Sequence, residues 1–384
     1  MTTSVFPRTD TTPRSRDLSS PWLHVDVSLI VAVVAMAGLG VLMVYSATRG
    51  PGGPENPVDR TFLERQALFV AIGFAAMAVT ALVDYRRIRD FAGPIYVATL
   101  VLLVVVLSPL GTESKGVQAW FQLGPFQLQP SEIAKIGVIL ALAAMVASKG
   151  PELRLVDLFR ALALTGIPMG LIMLQPDLGT VLVFVAITMG VLLVGGARPR
   201  HIIVVTLIGV VGVVGILNSD MLADYQKARL TAFLDPQADV QGETYNVDQA
   251  QITVGAGGLT GAGLFNGRQT RSEAVPEQQT DFIFTVVGEE LGFIGGAGVL
   301  ALFGFVIWRI WRAAQLSRDT FGTLLRVGVL SMLLFQIFQN VGMATGIMPI
   351  TGIPLPFLSY GGSSIVTAFI GIGLVLNVHM RRFS

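Results

Sequence analysis

Asp281 is the residue of this sequence whose surroundings best suit proton transfer. It lies in the segment VPEQQTDFIFTVVGEELG, residues 275–292, and the apolar run that begins at Phe282 continues almost unbroken to Trp308. A carboxylate with water on one side and a low dielectric on the other stays ionised at neutral pH and accepts protons more readily than a fully solvated one. Asp281 is therefore a candidate general base, and a helix cap is the structural alternative.

Three further carboxylates and one hydroxyl flank that aspartate. Glu277 and Thr280 precede it in the same turn and are candidates for contact with a substrate. Glu289 and Glu290 lie roughly two turns deeper in the apolar run, where an unpaired carboxylate is costly. We therefore expect these two residues to pair with Lys135 or with polar groups of the protein.

The segment GVQAWFQLGPFQLQPSEIAK, residues 116–135, places a tryptophan and an acid–base pair around the start of a helix. Trp120 suits the membrane–water interface, and Pro130 suits the first turn of a helix. Glu132 and Lys135 are three positions apart, so they share a helix face and can neutralise each other. The structural interpretation is an ion pair beside an interfacial anchor. The functional interpretation makes these residues a wall of an outward-facing polar cavity.

Two short segments carry charges that have both a structural and a functional interpretation. In LQPDLGT, residues 174–180, Asp177 follows a proline and can cap the next helix or contact a substrate. In DYQKARLTAFLDP, residues 224–236, Lys227 and Arg229 project from an apolar stripe that predicts a helix lying along the membrane surface. These cations suit anionic lipid or, alternatively, the pyrophosphate of a substrate.

Two connections are rich in residues that interrupt regular helices. YNVDQAQITVGAGGLTGAGLFNG, residues 245–267, contains six glycines, which suit a flexible loop or close backbone packing, with a substrate-cradling loop as the alternative. GIMPITGIPLPFLSYGGSS, residues 346–364, contains three prolines. Because non-helical backbone at membrane depth needs protein or a water-filled cavity around it, we expect this segment to be re-entrant and to line the outer cavity. Its candidate cavity residues are Ser359, Tyr360 and Ser363.

The composition places these segments in a membrane protein. Of the 384 residues, 52% are hydrophobic and 13% are charged, which is about half the charged fraction of ordinary soluble proteins. The mean hydropathy is +0.68. The chain has no cysteine, which excludes disulfides and thiolate chemistry. Nothing resembles a P-loop, so action driven by ATP bound to this chain is not expected.

Apolar runs predict an all-α polytopic fold with about ten transmembrane helices. Residues 1–26 predict a disordered cytoplasmic tail, and residues 27–384 predict a single transmembrane domain. With that tail inside, most of the 26 basic residues fall at cytoplasmic ends, as the positive-inside rule expects. The long loop between helices 7 and 8, residues 218–281, then lies outside. The predicted spans are 27–47, 66–83, 93–108, 130–148, 160–175, 178–196, 201–217, 282–308, 325–345 and 362–379.

Six segments together resemble the SEDS family (shape, elongation, division and sporulation), the RodA and FtsW membrane proteins. The resemblance implies a multi-pass protein of the bacterial cytoplasmic membrane, with both termini cytoplasmic, that polymerises lipid II into peptidoglycan glycan strands at an extracytoplasmic active site. It implies a class B penicillin-binding protein as partner, and it implies that Asp281, in the T-D-F motif, is the essential aspartate. The segments are AWFQLGPFQLQPSEIAK, LQPDLGT, YQKARLTAFLDP, GGLTGAGLFNG, PEQQTDFIFTVVGEELGFIG and GIPLPFLSYGGSS, in family order.

The sequence departs from the family pattern at two positions. Ala119 stands where an arginine commonly precedes the tryptophan, and Gln279 stands where a histidine often precedes T-D. Any catalytic role of those two family positions is therefore not carried over to this chain. The short chain and the segment GEELGF resemble the elongation (RodA) branch more than the division (FtsW) branch.

The resulting hypothesis has Asp281 take the proton of the sugar 4-hydroxyl of an acceptor lipid II. The oxygen then attacks the anomeric carbon of the growing chain and expels undecaprenyl pyrophosphate with inversion. Lys227, Arg229 or a divalent metal ion (Mg²⁺ or Mn²⁺) is expected beside the leaving group, although the sequence shows no obvious metal cluster. The alternatives are a lipid II flippase or other transporter, the division-specific polymerase, and a scaffold that recruits a synthase. No nucleic-acid partner is expected.

Overall fold

The computed structural model describes residues 24–50, 59–114, 117–124, 126–150, 152–217, 243–272 and 274–382. Most of the predicted N-terminal tail and the segment with Lys227 and Arg229 lie outside the described residues. The helices are α1 Val27–Thr48, α2 Thr61–Leu82, α3 Tyr85–Asp90, α4 Ala92–Val106, α5 Pro130–Ala147, α6 Leu155–Met173, α7 Leu178–Val194, α8 Pro199–Leu217, α9 Glu243–Ala256, α10 Arg268–Arg271, α11 Ile283–Gln315, α12 Thr320–Ala344 and α13 Gly362–Met380, and the strands are β1 Thr112–Ser114, β2 Val117–Leu123 and β3 Phe126–Leu128.

The helices confirm a polytopic membrane protein. Within the described residues, seven helices are long and apolar enough to cross a membrane, and α4 and α7 are shorter apolar helices. Each predicted span coincides with one helix of ten or more residues, and the last, predicted at 362–379, is observed at Gly362–Met380. The agreement follows from the length of the apolar runs, because only a helix satisfies all of its own backbone groups in hydrocarbon.

Helix contacts show that the bundle has two distinct ends. At one end, Asp26 at the start of α1 forms an ion pair of 2.6 Å with Arg309 near the end of α11. At the other, Gln129 before α5 donates its backbone N–H to the Ser363 hydroxyl of α13, 3.0 Å away. The latter end is called the long-loop end below, and it carries residues 107–114, 117–124, 126–129, 257–272, 274–282 and 345–361.

A small antiparallel sheet forms at the long-loop end, where the sequence did not predict strands. Its order is β1-β2-β3, with Trp120 opposite Thr112 and Phe121 opposite Leu128. The amide of Gln118 in β2 donates to the carbonyl of Ser108 just after α4, at 2.7 Å. The three strands thus form the connection between α4 and α5, and the Gln118 bond holds the sheet against the end of α4.

The helix α11 is broken at Gly292, which has a φ of +66° and a ψ of −167°. Its freed backbone groups bind the glycine-rich segment: Ala262 donates its N–H to the Glu289 carbonyl (2.9 Å), and Phe293 donates its N–H to the Gly258 carbonyl (2.9 Å). Two further bonds of the same kind join Gly263 to Glu290 and Ile294 to Leu259. Close backbone packing, rather than flexibility, is therefore the role that the structure gives to residues 257–263. Broken helices at membrane depth need such replacement partners.

Gly292→Ala is expected to lower the free energy of unfolding by about 2–4 kcal/mol, because it combines a positive φ with a steric overlap. A Cβ at Gly292 would lie 2.7 Å from the Leu259 carbonyl oxygen and against the Gly261 nitrogen. Denaturant titration of the purified protein measures the loss. Gly298→Ala is the matched control in the same helix, because a Cβ there meets nothing within 4 Å. It should be neutral or stabilising by up to about 1 kcal/mol, and equal effects of the two variants would contradict the close packing of residues 257–263 against the break at Gly292.

Candidate active site

Asp281 lies at the junction of a tight turn and the apolar helix α11. The Glu277 carbonyl accepts the backbone N–H groups of Thr280 and Asp281, each at 3.1 Å, and Glu277 itself has a φ of +52°. The Thr280 hydroxyl donates to the same carbonyl at 3.1 Å and lies 3.2 Å from the Glu277 carboxylate. Glu277 and Thr280 therefore shape the turn that presents Asp281.

The side chain of Asp281 is half-buried, whereas Phe282 and Ile283 after it are buried. The N-cap of α11 is Phe282, and no side chain bonds at that cap position. Asp281 therefore does not occupy the cap position that the structural alternative assigned to it. The half-buried Asp281 thus lies at the predicted boundary between the polar turn before it and the buried apolar helix after it.

The proline-rich loop of residues 346–361 forms the wall opposite Asp281. Oδ2 of Asp281 lies 3.5 Å from the place where a Cβ would project from Gly352, whose φ is +70°. Only a residue without a side chain leaves the space beside the carboxylate open at this point. The loop is thus part of the Asp281 site.

The same loop enters the bundle, in agreement with the re-entrant prediction. Ile353, Leu355 and Phe357 are buried, and the Phe357 carbonyl lies against Gly40 of α1. Gly40 is roughly two turns, or about 12 Å, from the end of α1 at Thr48. Protein therefore surrounds this non-helical backbone, as membrane depth requires.

Ser359, Tyr360 and Ser363 hold the loop in place; Ser359 is buried, whereas Tyr360 and Ser363 are half-buried, and their role as cavity residues stays a prediction. The Ser359 hydroxyl accepts the Leu355 N–H at 2.8 Å, and its side chain is buried. Tyr360 donates its N–H to the Gln279 carbonyl at 2.8 Å, which joins the loop to the turn that carries Asp281. The Ser363 hydroxyl donates to the Gln127 carbonyl at 3.1 Å. The three residues therefore set the shape of the site.

The predicted ion pair is present on α5. Nζ of Lys135 lies 2.7 Å from Oε1 of Glu132, and the two side chains are 2% and 4% exposed. At this burial the pair lies inside the bundle, and Oε2 of Glu132 has no hydrogen-bond partner among the described residues. The functional interpretation, a cavity wall, stays a prediction.

Asp177 is the cap that the sequence favoured. Its carboxylate accepts the Thr180 N–H at 2.9 Å at the start of α7, and Nε2 of Gln129 lies 3.4 Å from its other oxygen.

Trp120 is half-buried in β2. Its predicted position at the membrane surface stays a prediction.

The prediction that Glu289 or Glu290 pairs with Lys135 is wrong, and the alternative of polar protein groups is confirmed. Glu289 accepts the N–H groups of Gln269 and Thr270, each at 2.8 Å, and the Thr270 hydroxyl at 2.7 Å. Glu290 accepts the Ser46 hydroxyl at 2.5 Å. Lys135 instead binds Glu132, one helical turn away on the same helix.

Lys227 and Arg229, the cations expected beside a leaving group, lie outside the described part of the chain. Within the described ranges, no group of three or more His, Asp or Glu side chains could hold a metal ion. The mechanism below routes no step through a metal ion.

Two polar residues of the site were missed at the level of sequence. Asn340 of α12 is fully buried, and its amide donates to the backbone carbonyls of Asp281 (2.7 Å) and Ile353 (2.8 Å). Gln278 donates from Nε2 to the carbonyls of Ala47 and Thr270, each at 2.9 Å. For Asn340 a signal existed: FQIFQN interrupts an apolar span with polar residues, which normally face the interior of a bundle.

The geometry is that of a half-buried carboxylate at one end of a membrane bundle, held between a tight turn and a re-entrant loop. A model of the cell cycle proteins FtsW, RodA and SpoVE matches residues 27–383. This chain belongs to the FtsW/RodA/SpoVE family. Two relatives cover almost all of it. Stage V sporulation protein E of Bacillus subtilis (strain 168) is 39% identical over 92% of this chain and 96% of its own length. The peptidoglycan glycosyltransferase MrdB of Escherichia coli (strain K12) is 36% identical over 94% and 95%.

A solved structure supports the same membership. It is described as "Structural coordination of polymerization and crosslinking by a peptidoglycan synthase complex", is 35% identical, and covers 94% of this chain and 99% of its own, with a TM-score of 0.80. In this FtsW/RodA/SpoVE chain, five of the six family-like segments reach the long-loop end through their described residues: 119–135, 174–180, 257–267, 276–295 and 352–364. The segment 257–267 also packs against α11, and 225–236 lies outside the described residues.

Proposed function

We propose that this chain is a peptidoglycan glycosyltransferase that polymerises lipid II, with Asp281 as the general base. The observation that carries the proposal is the half-buried carboxylate of Asp281, presented by its turn toward Gly352 of the re-entrant loop. A glycosyl transfer to a sugar hydroxyl needs one group that accepts the hydroxyl proton as the oxygen attacks.

In this mechanism Asp281 takes the proton of the acceptor's 4-hydroxyl. The oxygen forms a bond to the anomeric carbon of the growing chain, while the bond from that carbon to the pyrophosphate breaks with inversion. Undecaprenyl pyrophosphate leaves with the electron pair, and Lys227 and Arg229 are the cations proposed to stabilise its charge. Glu277 and Thr280 hold the turn that presents Asp281.

The proposed orientation places the long-loop end, and with it Asp281, outside the cytoplasmic membrane. The basic residues of the short connections support it, because Arg86, Arg198 and Arg381 all lie at the opposite end of the helices. Both termini are then cytoplasmic. A lipid-linked substrate in the outer leaflet can reach a site at this end without crossing the bilayer.

We assign the chain to the elongation branch and give it a class B penicillin-binding protein as partner. The segment GEELGF supports the branch, and the similarity to a synthase complex described as coordinating polymerization and crosslinking supports the partner. Rescue of cells depleted of their elongation polymerase, but not of cells depleted of their division polymerase, is the expected result. The reverse pattern would reassign the branch.

Incubation of purified protein with fluorescent lipid II tests the activity. Alone or with a class B penicillin-binding protein, which has no transglycosylase of its own, the chain is expected to produce a ladder of glycan strands. Vesicles that contain labelled lipid II and a membrane-impermeant quencher test the flippase alternative. Movement of label between leaflets without strand growth in either mixture would overturn the polymerase proposal in favour of transport.

A further inference from the structure

Asn340 joins the two segments that form the site. It lies four residues before the end of α12, and its side chain is 0% exposed. One nitrogen, Nδ2, donates to the Asp281 carbonyl at 2.7 Å and to the Ile353 carbonyl at 2.8 Å. The first carbonyl belongs to the proposed base and the second to the loop residue next to Gly352.

These two hydrogen bonds from one amide hold the Asp281 and Ile353 backbones at a fixed distance from each other. Asp281 precedes α11 and Ile353 lies in non-helical backbone, so neither carbonyl is held inside a regular helix. Without the amide, the buried Ile353 carbonyl and the partly buried Asp281 carbonyl would both lack this donor, and we expect each to move toward another one. The separation between the Asp281 carboxylate and the loop would then change, because Oδ2 lies only 3.5 Å from the Cβ position of Gly352.

We propose that Asn340 is a positioning residue for the transfer reaction: its amide sets the distance between Asp281 and the re-entrant loop, and so places the base against the acceptor hydroxyl. The inference rests on the proposed function. A displacement of about 1 Å at a reacting group can lower a rate by about 100-fold. The effect should therefore appear in kcat and leave KM almost unchanged, since Asn340 is fully buried and does not reach the substrate.

The chain offers a matched control in the next residue. Gln339 is also buried, lies on the same helix and donates from Nε2 to the Pro349 carbonyl of the same loop at 2.9 Å. This bond does not involve the Asp281 segment. Replacement of Gln339 therefore removes one hydrogen bond to the loop and leaves both bonds of Asn340 to Asp281 and Ile353 in place.

The experiment compares Asn340→Leu with Gln339→Met, each close in volume to the residue it replaces. Polymerisation rates are measured over a range of lipid II concentrations. The unfolding temperature of each variant is measured separately. We expect N340L to lower kcat by about 10- to 100-fold with KM within about twofold, and Q339M to keep kcat within about threefold. Equal losses of kcat, or an N340L loss that appears only in KM, would overturn the inference.

A second variant guards against failure of N340L to fold. Asn340→Ser keeps one hydroxyl donor, which can serve only one of the two carbonyls, and we expect about a tenfold loss of kcat. Wild-type kcat in N340S would overturn the inference. Failure of the proposed function itself has a separate signature: the wild type would produce no strands, or Asp281→Asn would retain the wild-type rate, whatever the Asn340 variants do.

Discussion

Asp281→Asn is expected to lower the rate of lipid II polymerisation by about 10²- to 10⁴-fold, the range that a general base contributes. Asparagine has the size of aspartate and leaves the backbone bonds to Glu277 and Asn340 in place. It cannot take up the proton of an attacking hydroxyl. The substitution should therefore lower the rate of the chemical step. The measurement is the initial rate of strand growth by purified variant and wild type at saturating lipid II.

Asp59→Asn is the matched control for this experiment. Asp59 is an exposed carboxylate just before α2, also at the long-loop end, and its carboxylate accepts the Thr61 N–H at 2.8 Å. Asparagine can accept the same bond, so the rate should stay at that of wild type. A folded D281N protein whose rate equals that of D59N would refute the assignment of the base.

Lys135→Met is expected to lower the free energy of unfolding by about 3–5 kcal/mol, the usual effect of removing one partner from a buried ion pair. The variant leaves Glu132 without its cation at 4% side-chain exposure, and Oε2 of Glu132 already lacks a hydrogen-bond partner among the described residues. The large effect therefore comes from an uncompensated buried charge. Denaturant titration in detergent micelles measures it.

The double variant Glu132→Gln with Lys135→Met tests this reason. Removing both charges takes away the attraction together with the cost of burying each ion, so the double variant should recover to within about 1–2 kcal/mol of wild type. If the double variant is as unstable as K135M alone, lost packing by the lysine stem explains the effect instead. Polymerisation by the double variant then reports whether the pair has a role beyond stability.

Features that depend on neighbours in the chain were predictable from the sequence. The spans follow from apolar runs long enough to cross the hydrocarbon. The Asp177 cap and the Glu132–Lys135 pair join residues three positions apart, a spacing that places both partners together on any helix. Asp281 could be identified because its position between polar and apolar sequence is itself a local property.

Partners from distant parts of the chain could not be predicted in this way. The sequence indicated that Glu289 and Glu290 need polar partners, but it did not indicate Thr270 or Ser46. The small sheet was missed because β1 and β3 have only three residues each. Three positions are too few to show the alternation of apolar and polar residues that identifies a strand.

The sequence by itself determined a membrane bundle with a carboxylate at the end of an apolar helix, because apolar length and local spacing act through the chain's own geometry. Only the tertiary structure decided what surrounds that carboxylate. Asn340 binds Asp281 and Ile353, and residues 258–263 replace the hydrogen bonds lost at Gly292. A buried polar group must find a partner, yet packing alone selects which of many distant donors and acceptors comes within 3 Å.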